Sequence, residues 1–411
     1  MRRLKRYICL VGLLALLAAA LTGCGFSDDS VEELFTLPRM AEEYTGLTQE
    51  LETLITQGYE YASPTGGRNI QSVQMADLDG DGQQEALAFF RMSSDEKPLK
   101  IFVFKIEGDS YARYCTIESS GTAIDSVYYQ DLNGDGRREL IVGWRISAEV
   151  QTVAVYTVAR EPVALMSSGY TRFTIQDLNG DGIPSLLVLR TDADSQPVAE
   201  FYGWQEEQMG VAYRCVLSST MASVNRGSLV SGRLDADTPA LYITGVDEQG
   251  MAATDILVFR QDLGLVNLAL SGSSTGVSNA VFPYRQLLPQ DINGDGIIEL
   301  PSPDTSWTAE QTDGLVSWLC CNGDGQLSTV AKTYHSLSCG WYFTIPESWW
   351  DWSVETATTS ISNENQFSLA INGDPVLSLY TITGENRENR GRMGKRVLLR
   401  RQTATIYAGE L

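Results

Sequence analysis

Histidine is almost missing from this chain: its 411 residues include one, His335. A single imidazole excludes histidine-rich metal centres and removes most Ser-His-Asp and Cys-His arrangements, which need that base beside a nucleophile. Basic charge is short as well, with 30 Lys and Arg against 52 Asp and Glu and a formal net charge of −22. So acidic a surface repels nucleic acid and anionic head groups, and no nucleic-acid partner is expected. Cysteine is sparse at seven residues, too few and too scattered for a disulfide scaffold. No apolar run reaches the roughly 20 residues of a spanning helix. The run from Ile8 to Leu21 has 14.

That run comes after Arg2, Arg3, Lys5 and Arg6, which is the order of an export signal. Next comes Leu21-Thr22-Gly23-Cys24, which resembles the lipobox of bacterial lipoproteins. The resemblance implies cleavage before Cys24, a diacylglycerol on its sulfur, and a lipid-anchored protein on the extracytoplasmic face of the cell membrane. Two acyl chains supply the stable anchoring that one chain does not. Residues 1–23 are then the signal peptide. Removing them takes away four basic and no acidic residues and moves the net charge from −22 to −26. With Cys24 acylated, Cys115, Cys215, Cys320, Cys321 and Cys339 remain, an odd number. Residues 24–69 read as a tether over Ser27 to Ser30 and a helical segment over Val31 to Gly58. Leu47, Leu51, Leu54 and Ile55 give that segment its spacing of three and four, and Gly58 stops it.

What the chain has in quantity is one acidic glycine-rich loop. It occurs as Asp77-Leu-Asp-Gly-Asp-Gly, Asp131-Leu-Asn-Gly-Asp-Gly, Asp177-Leu-Asn-Gly-Asp-Gly and Asp291-Ile-Asn-Gly-Asp-Gly, with a worn copy at Arg233-Leu-Asp-Ala-Asp-Thr. Successive copies are 46 to 58 residues apart, about the length of a four-stranded propeller blade. One unit shows the pattern: strands over Ser126 to Gln130 and Leu140 to Trp144 flank the loop, and Thr152 to Val158 and Val163 to Ser168 alternate as a hairpin. The fold expected is mainly β, a propeller of about five four-stranded blades over residues 70–336. After Ser338 the acidic loop never recurs, so 337–411 is expected to be a separate small α+β domain, with a degenerate sixth blade as the competing reading.

Calcium takes six to eight oxygens, supplied in a looped site from alternating positions plus one backbone carbonyl. In the first loop Asp77, Asp79 and Asp81 occupy positions one, three and five, the Gln83 carbonyl position seven, and Glu85 position nine. Gly80 and Gly82 allow the tight turns. At position twelve, where a helix-loop-helix hand carries a glutamate, stand Ala88, Val142 and Val188, already inside strands.

These loops and their strands resemble the integrin-type FG-GAP or VCBS propeller repeat over about residues 70–336. The resemblance implies structural calcium, up to four ions, between the first two strands of each blade. It carries the ligand roles to Asp131, Asn133, Asp135, the Arg137 carbonyl and Glu139, and to Asp291, Asn293, Asp295, the Ile297 carbonyl and Glu299. The third set, Asp177, Asn179, Asp181 and the Ile183 carbonyl, has Ser185 in place of the carboxylate at position nine and should hold calcium most weakly. Arg233 puts a cation at position one of the worn copy, so no ion is expected there. Asn322-Gly-Asp-Gly325, just after Cys320 and Cys321, reads as a hairpin turn, and Asn372-Gly373-Asp374 is read the same way.

Signals for chemistry are weak. Gly272-Ser-Ser-Thr-Gly276 matches the G-x-S-x-G pattern around Ser274 but lies in a Ser/Gly-rich joint. Cys320, Cys321, His335 and Cys339 could be written as a zinc set, although adjacent strand residues face opposite ways. The basic run Arg387, Arg390, Arg392, Lys395, Arg396, Arg400 and Arg401 reads as a solvated face, an anion-binding surface or a partner for acidic loops. Trp341, Trp349, Trp350 and Trp352 read as core, with a sugar platform as the alternative. No catalytic constellation stands out. The expected role is a non-catalytic binding or adhesion module with a protein or polysaccharide ligand. The alternatives are a carbohydrate-active enzyme or sugar-binding accessory protein, and a structural envelope scaffold.

Overall fold

The computed structural model describes residues 44–108, 110–248, 250–270, 281–282, 287–303, 313–350 and 354–411. The signal segment, Cys24, Ser274 and Trp352 lie outside the described residues. Two compact units separate: one holds the described residues up to Gly58 with Phe104–Arg113, the other Tyr59–Val103 with Tyr114–Leu411.

In the smaller unit the expected helix spans Thr45–Thr56. Leu47 and Leu54, two turns apart, are its buried residues. Ile55, expected on the same face, is exposed instead, one residue past the buried stripe. Gly58 at φ +97° ends the helix, as expected of a glycine in the left-handed region. Tyr44 stacks on Tyr111 at 5.9 Å.

Antiparallel sheets of four or five strands, six among the described residues, make up the rest of the described chain. Strands Val73–Ala76, Glu85–Arg91, Leu99–Glu107 and Ser110–Ser119 make the first, with Glu60–Tyr61 added to it. Ala123–Gln130, Glu139–Arg145, Gln151–Thr157 and Val163–Gly169 make the second. Arg172–Gln176, Ser185–Thr191, Pro197–Gln205 and Gln208–Val216 make the third. Ser228–Arg233, Pro239–Val246, Ala252–Arg260 and Gly264–Asn267 make the fourth, with Val281–Phe282 at Ala252–Ala253. The first three are marked by the acidic loops at 77, 131 and 177 and the fourth by the worn copy.

The second strand of each of these four sheets is a continuous apolar run rather than an alternation. Residues 86–90, 140–142, 186–189 and 240–243 are buried without a break, because a neighbouring sheet covers each face. Shared cores record the order. One core joins the first and second sheets through Phe89, Ile101, Val127 and Trp144. Others join the second to the third, the third to the fourth and the fourth to the fifth. The second residue of each loop is the wedge: Leu78, Leu132, Leu178 and Leu234 are all buried in these cores.

The C-terminal region departs from expectation. The fifth sheet, of Leu300–Pro303, Asp313–Cys321, Leu327–Ser336 and Trp341–Thr344, continues past residue 336, because Trp341–Thr344 pairs with the Leu327–Ser336 strand. The rest of the chain is not an α+β domain. Residues 354–410 form a sixth antiparallel sheet whose helical content is the single turn Arg387–Arg390. Its order is Val354–Ile361, Glu364–Ile371, Asp374–Thr383, Thr405–Glu410, Val397–Arg401, so the last strand of the chain is inserted inside the edge. Tyr334, Phe367, Leu369 and Ile371 form the core between the fifth and sixth sheets.

Candidate functional site

All four acidic loops close on one register. The residue before the loop pairs with position nine: Ala76 with Glu85, Gln130 with Glu139, Gln176 with Ser185 and Gln290 with Glu299. Between these pairs the chain turns through two left-handed glycines, at φ +73° to +88° in every copy. The worn copy, with alanine and threonine at those places, closes a shorter loop in which Arg233 pairs with Pro239.

The first aspartate organises each turn. One carboxylate oxygen of Asp77 accepts the Gly80 N–H at 2.8 Å and the other the Gly82 N–H at 3.2 Å. Asp131 does the same for Gly134 and Gly136, Asp177 for Gly180 and Gly182, and Asp291 for Gly294 and Gly296. Position five accepts the N–H of position seven: Asp81 from Gln83, Asp135 from Arg137, Asp181 from Ile183 and Asp295 from Ile297, at 2.7 to 2.8 Å. Asn133, Asn179 and Asn293 each donate an amide N–H to that aspartate.

The glutamates at position nine are buried. Glu85, Glu139 and Glu299 are 2%, 3% and 1% exposed, and each accepts the N–H of the wedge residue, Leu78, Leu132 or Ile292, at 2.7 to 2.9 Å. Burial pushes the Glu139 carboxyl above the usual carboxylate range, and Asp135 and Asp131 add to the rise. Glu299 is raised by burial and by Asp295 and Asp291. In the first loop Asp77, Asp79 and Glu85 each place an oxygen within 4.8 Å of the others. Carboxylates crowded around a buried one are costly unless a cation joins them, and an all-oxygen donor set suits a hard divalent ion such as calcium. The residues fit that ion. In the third loop Ser185 removes a carboxylate from the set. In the worn loop the Arg233 guanidinium donates to the Ala236 carbonyl at 2.9 Å, and Asp235 is consumed by Asp237 and Thr238.

Neighbouring loops touch. Arg138 N–H donates to the Leu78 carbonyl at 2.7 Å, the Trp204 indole to the Leu132 carbonyl at 2.8 Å, and Ile298 N–H to the Arg233 carbonyl at 3.1 Å. A Cβ on Gly80 would stand 2.5 Å from the Gly136 carbonyl oxygen, and one on Gly134 2.7 Å from Ile183.

Sequence reasoning missed a cavity of about 840 Å³ against the first strands of the first three sheets, lined by Arg68, Gln71, Gln74, Tyr128, Gln130, Arg138 and Phe173 among others. Gln74 and Tyr129 fix its wall: the tyrosine hydroxyl donates to Gln74 Oε1 at 2.6 Å, while Gln74 Nε2 donates to the Asn69 and Gln71 carbonyls. No motif marks these residues. Their one sequence signal is the run of amides and aromatics on short strands beside the loops.

The remaining candidates take structural partners. His335 is buried between Trp318 and Tyr342, its imidazole pushed down to about 4 by burial. Cys320 faces the Leu234 carbonyl, Cys321 joins the core of the fourth and fifth sheets, and Cys339 accepts from Asn365. Burial pushes the Cys321 thiol up to about 11. In the basic run Arg396 and Arg390 lie 2.7 and 3.8 Å from Glu364, and Arg401 lies 3.1 Å from Glu388. Trp341 and Trp349 pack into the core between the last two sheets, and the Trp350 indole donates to the Ile345 carbonyl. No described helix is long and apolar enough to cross a membrane.

Compared with known proteins by sequence, the chain matches no family model and no curated protein at a significant level. Among solved structures it has a loose likeness to Saccharomyces cerevisiae Sqt1, at 13% identity and a TM-score of 0.29 over 84% of each chain. A second likeness is to the subtype N10 neuraminidase-like protein of A/little yellow-shouldered bat, at 12% identity and a TM-score of 0.27, over 77% of this chain and 96% of that one. A third is to the Photorhabdus luminescens Tc holotoxin pore, at 13% identity and a TM-score of 0.22, over 77% of this chain and 15% of that one. Overlap at that level assigns neither a family nor an activity.

Proposed function

We propose that this chain is an exported recognition protein of the FG-GAP or VCBS propeller type, held to the outer face of the cell membrane by a lipid on Cys24 and stapled by structural calcium in its acidic loops. The sheets serve as blades. The observation that carries the reading is the repetition of one loop geometry at one register at the start of the first, second, third and fifth sheets, with a buried glutamate closing three of the four. Such a cluster of carboxylates, held by backbone N–H groups and aimed together, is a binding arrangement for a hard cation. The role is then non-catalytic: the sheets display a surface, and calcium keeps it in one shape.

Two measurements test this reading. Calorimetric melting in calcium and in chelator should show a lower Tm in chelator, and equal melts would remove calcium from the account. Capture of partners from envelope and culture extracts on the immobilised protein, in both buffers, should retain a protein or polysaccharide in calcium alone. A folded sample that retains nothing in either buffer would turn attention to hydrolysis of envelope polymers.

A further inference from the structure

We infer that the cavity against the first three sheets is a binding site for a carboxylate-bearing saccharide. This inference rests on the recognition role proposed above and specifies its ligand. The cavity, at about 840 Å³, lies within the range of about 300 to 1,000 Å³ usual for ligand sites. Its lining is the opposite of the molecule's general charge: Arg68 and Arg138 stand against the single carboxylate of Asp77, in a chain where acids outnumber bases 52 to 30.

The hydrogen-bonding state of the lining separates wall from contact surface. Asn69, Gln74 and Tyr129 are engaged with one another and with the Val127 and Gln71 carbonyls, which makes a rigid back wall. The side chains of Arg68, Arg138, Gln71 and Gln130 and the Tyr128 hydroxyl have no hydrogen-bond partner in the protein among the described residues. They supply two guanidinium forks, two amides and a phenol. Guanidinium forks match carboxylates in two-point geometry. Amides and phenol both donate and accept, as sugar hydroxyls require. Tyr128 and Phe173, in edge contact at 5.6 Å, add apolar ring surface for a pyranose face. Asp77 belongs to both the cavity and the first acidic loop, so a divalent ion on that loop would neutralise the one lining carboxylate. Arg138 is fixed by the same loops, since its N–H donates to the Leu78 carbonyl.

The test is calorimetric titration of the full-length protein in detergent, at saturating calcium, with hyaluronan tetrasaccharide and with neutral chitotetraose. The acidic tetrasaccharide should bind at least about tenfold more tightly, the equivalent of about one charge-assisted contact. Arg68→Gln and Arg138→Gln should each remove about that factor, while Arg392→Ala, in the turn ahead of the Val397–Arg401 strand, should leave binding unchanged. Equal affinity for both sugars, no binding of either, or acidic-sugar binding indifferent to both cavity substitutions would overturn the inference. Melting of each variant beside wild type separates loss of a contact from loss of fold, and Arg68→Lys and Arg138→Lys replace any glutamine variant that melts early. The calcium reading fails on a different readout, the chelator melt, so the two failures are distinguishable.

Discussion

Gly80 illustrates how little freedom single residues have in the loops. Its φ of +73° is one that L side chains rarely adopt, and a Cβ there would press on the Gly136 carbonyl oxygen at 2.5 Å. Gly82, at φ +86°, has open space around it. Gly82→Ala should therefore cost the strain alone, about 1 kcal/mol, and Gly80→Ala more, up to about 3 kcal/mol. Denaturant unfolding of the pair checks this. Equal losses would mean that the first and second loops do not abut. His335 makes a second residue-scale prediction. Its folded-state value of about 4 lies below the ordinary 6.5, so the unfolded chain binds the proton first as pH falls. The contribution of neutral His335 is intact above pH 6.5, is lost at about 1.4 kcal/mol per pH unit between 6.5 and 4, and then levels off. His335→Phe keeps an aromatic ring between Trp318 and Tyr342 and should reduce the loss of stability over that window, measured by denaturant melts at pH 7 and 5. An identical loss in both proteins would count against it.

At the scale of elements, each loop and the strand after it act as one part. The wedge leucine enters the next sheet's core, its N–H is held by the position-nine glutamate, and in the first two loops its carbonyl accepts a bond from the neighbouring sheet. The proposed metal site and sheet packing thus meet on one residue. The third loop lacks the glutamate, and Leu178 packs as the wedge without it. Ser185→Glu should restore the missing carboxylate and add calcium-dependent stability, read as a larger difference between calcium and chelator melts. If that difference is unchanged, position nine is not a metal ligand. The loops were legible in the sequence because every bond that shapes them closes within nine residues. A sixth blade was legible as the competing reading, but its strand order was not, because insertion of Thr405–Glu410 between two earlier strands is decided by partners that lie far away in sequence.

For the molecule as a whole, the acidic surplus would give the proposed calcium a further part. Net charge self-repulsion opposes the compact state, and ions bound only by the folded form offset it by mass action, by about 2.7 kcal/mol per site at a hundredfold excess over Kd. Chelation should then lower Tm by on the order of 5 °C or more. A second chelator melt at high monovalent salt separates the two contributions: salt screens the general repulsion, while occupied loops keep their advantage.

The sequence by itself determined the spacing of the sheets, the four strands of the second, and the shape of every acidic loop. All of these depend on residues close together in the chain: a carboxylate and the N–H groups it can reach, a glycine and the φ it alone tolerates, an apolar run bounded by turns. Only the tertiary structure decided which sheet each wedge enters, that Trp341–Thr344 extends the fifth sheet, and that Arg68, Arg138, Tyr128 and Phe173 share a cavity. Those outcomes depend on surfaces that meet only after folding, and no local preference specifies them.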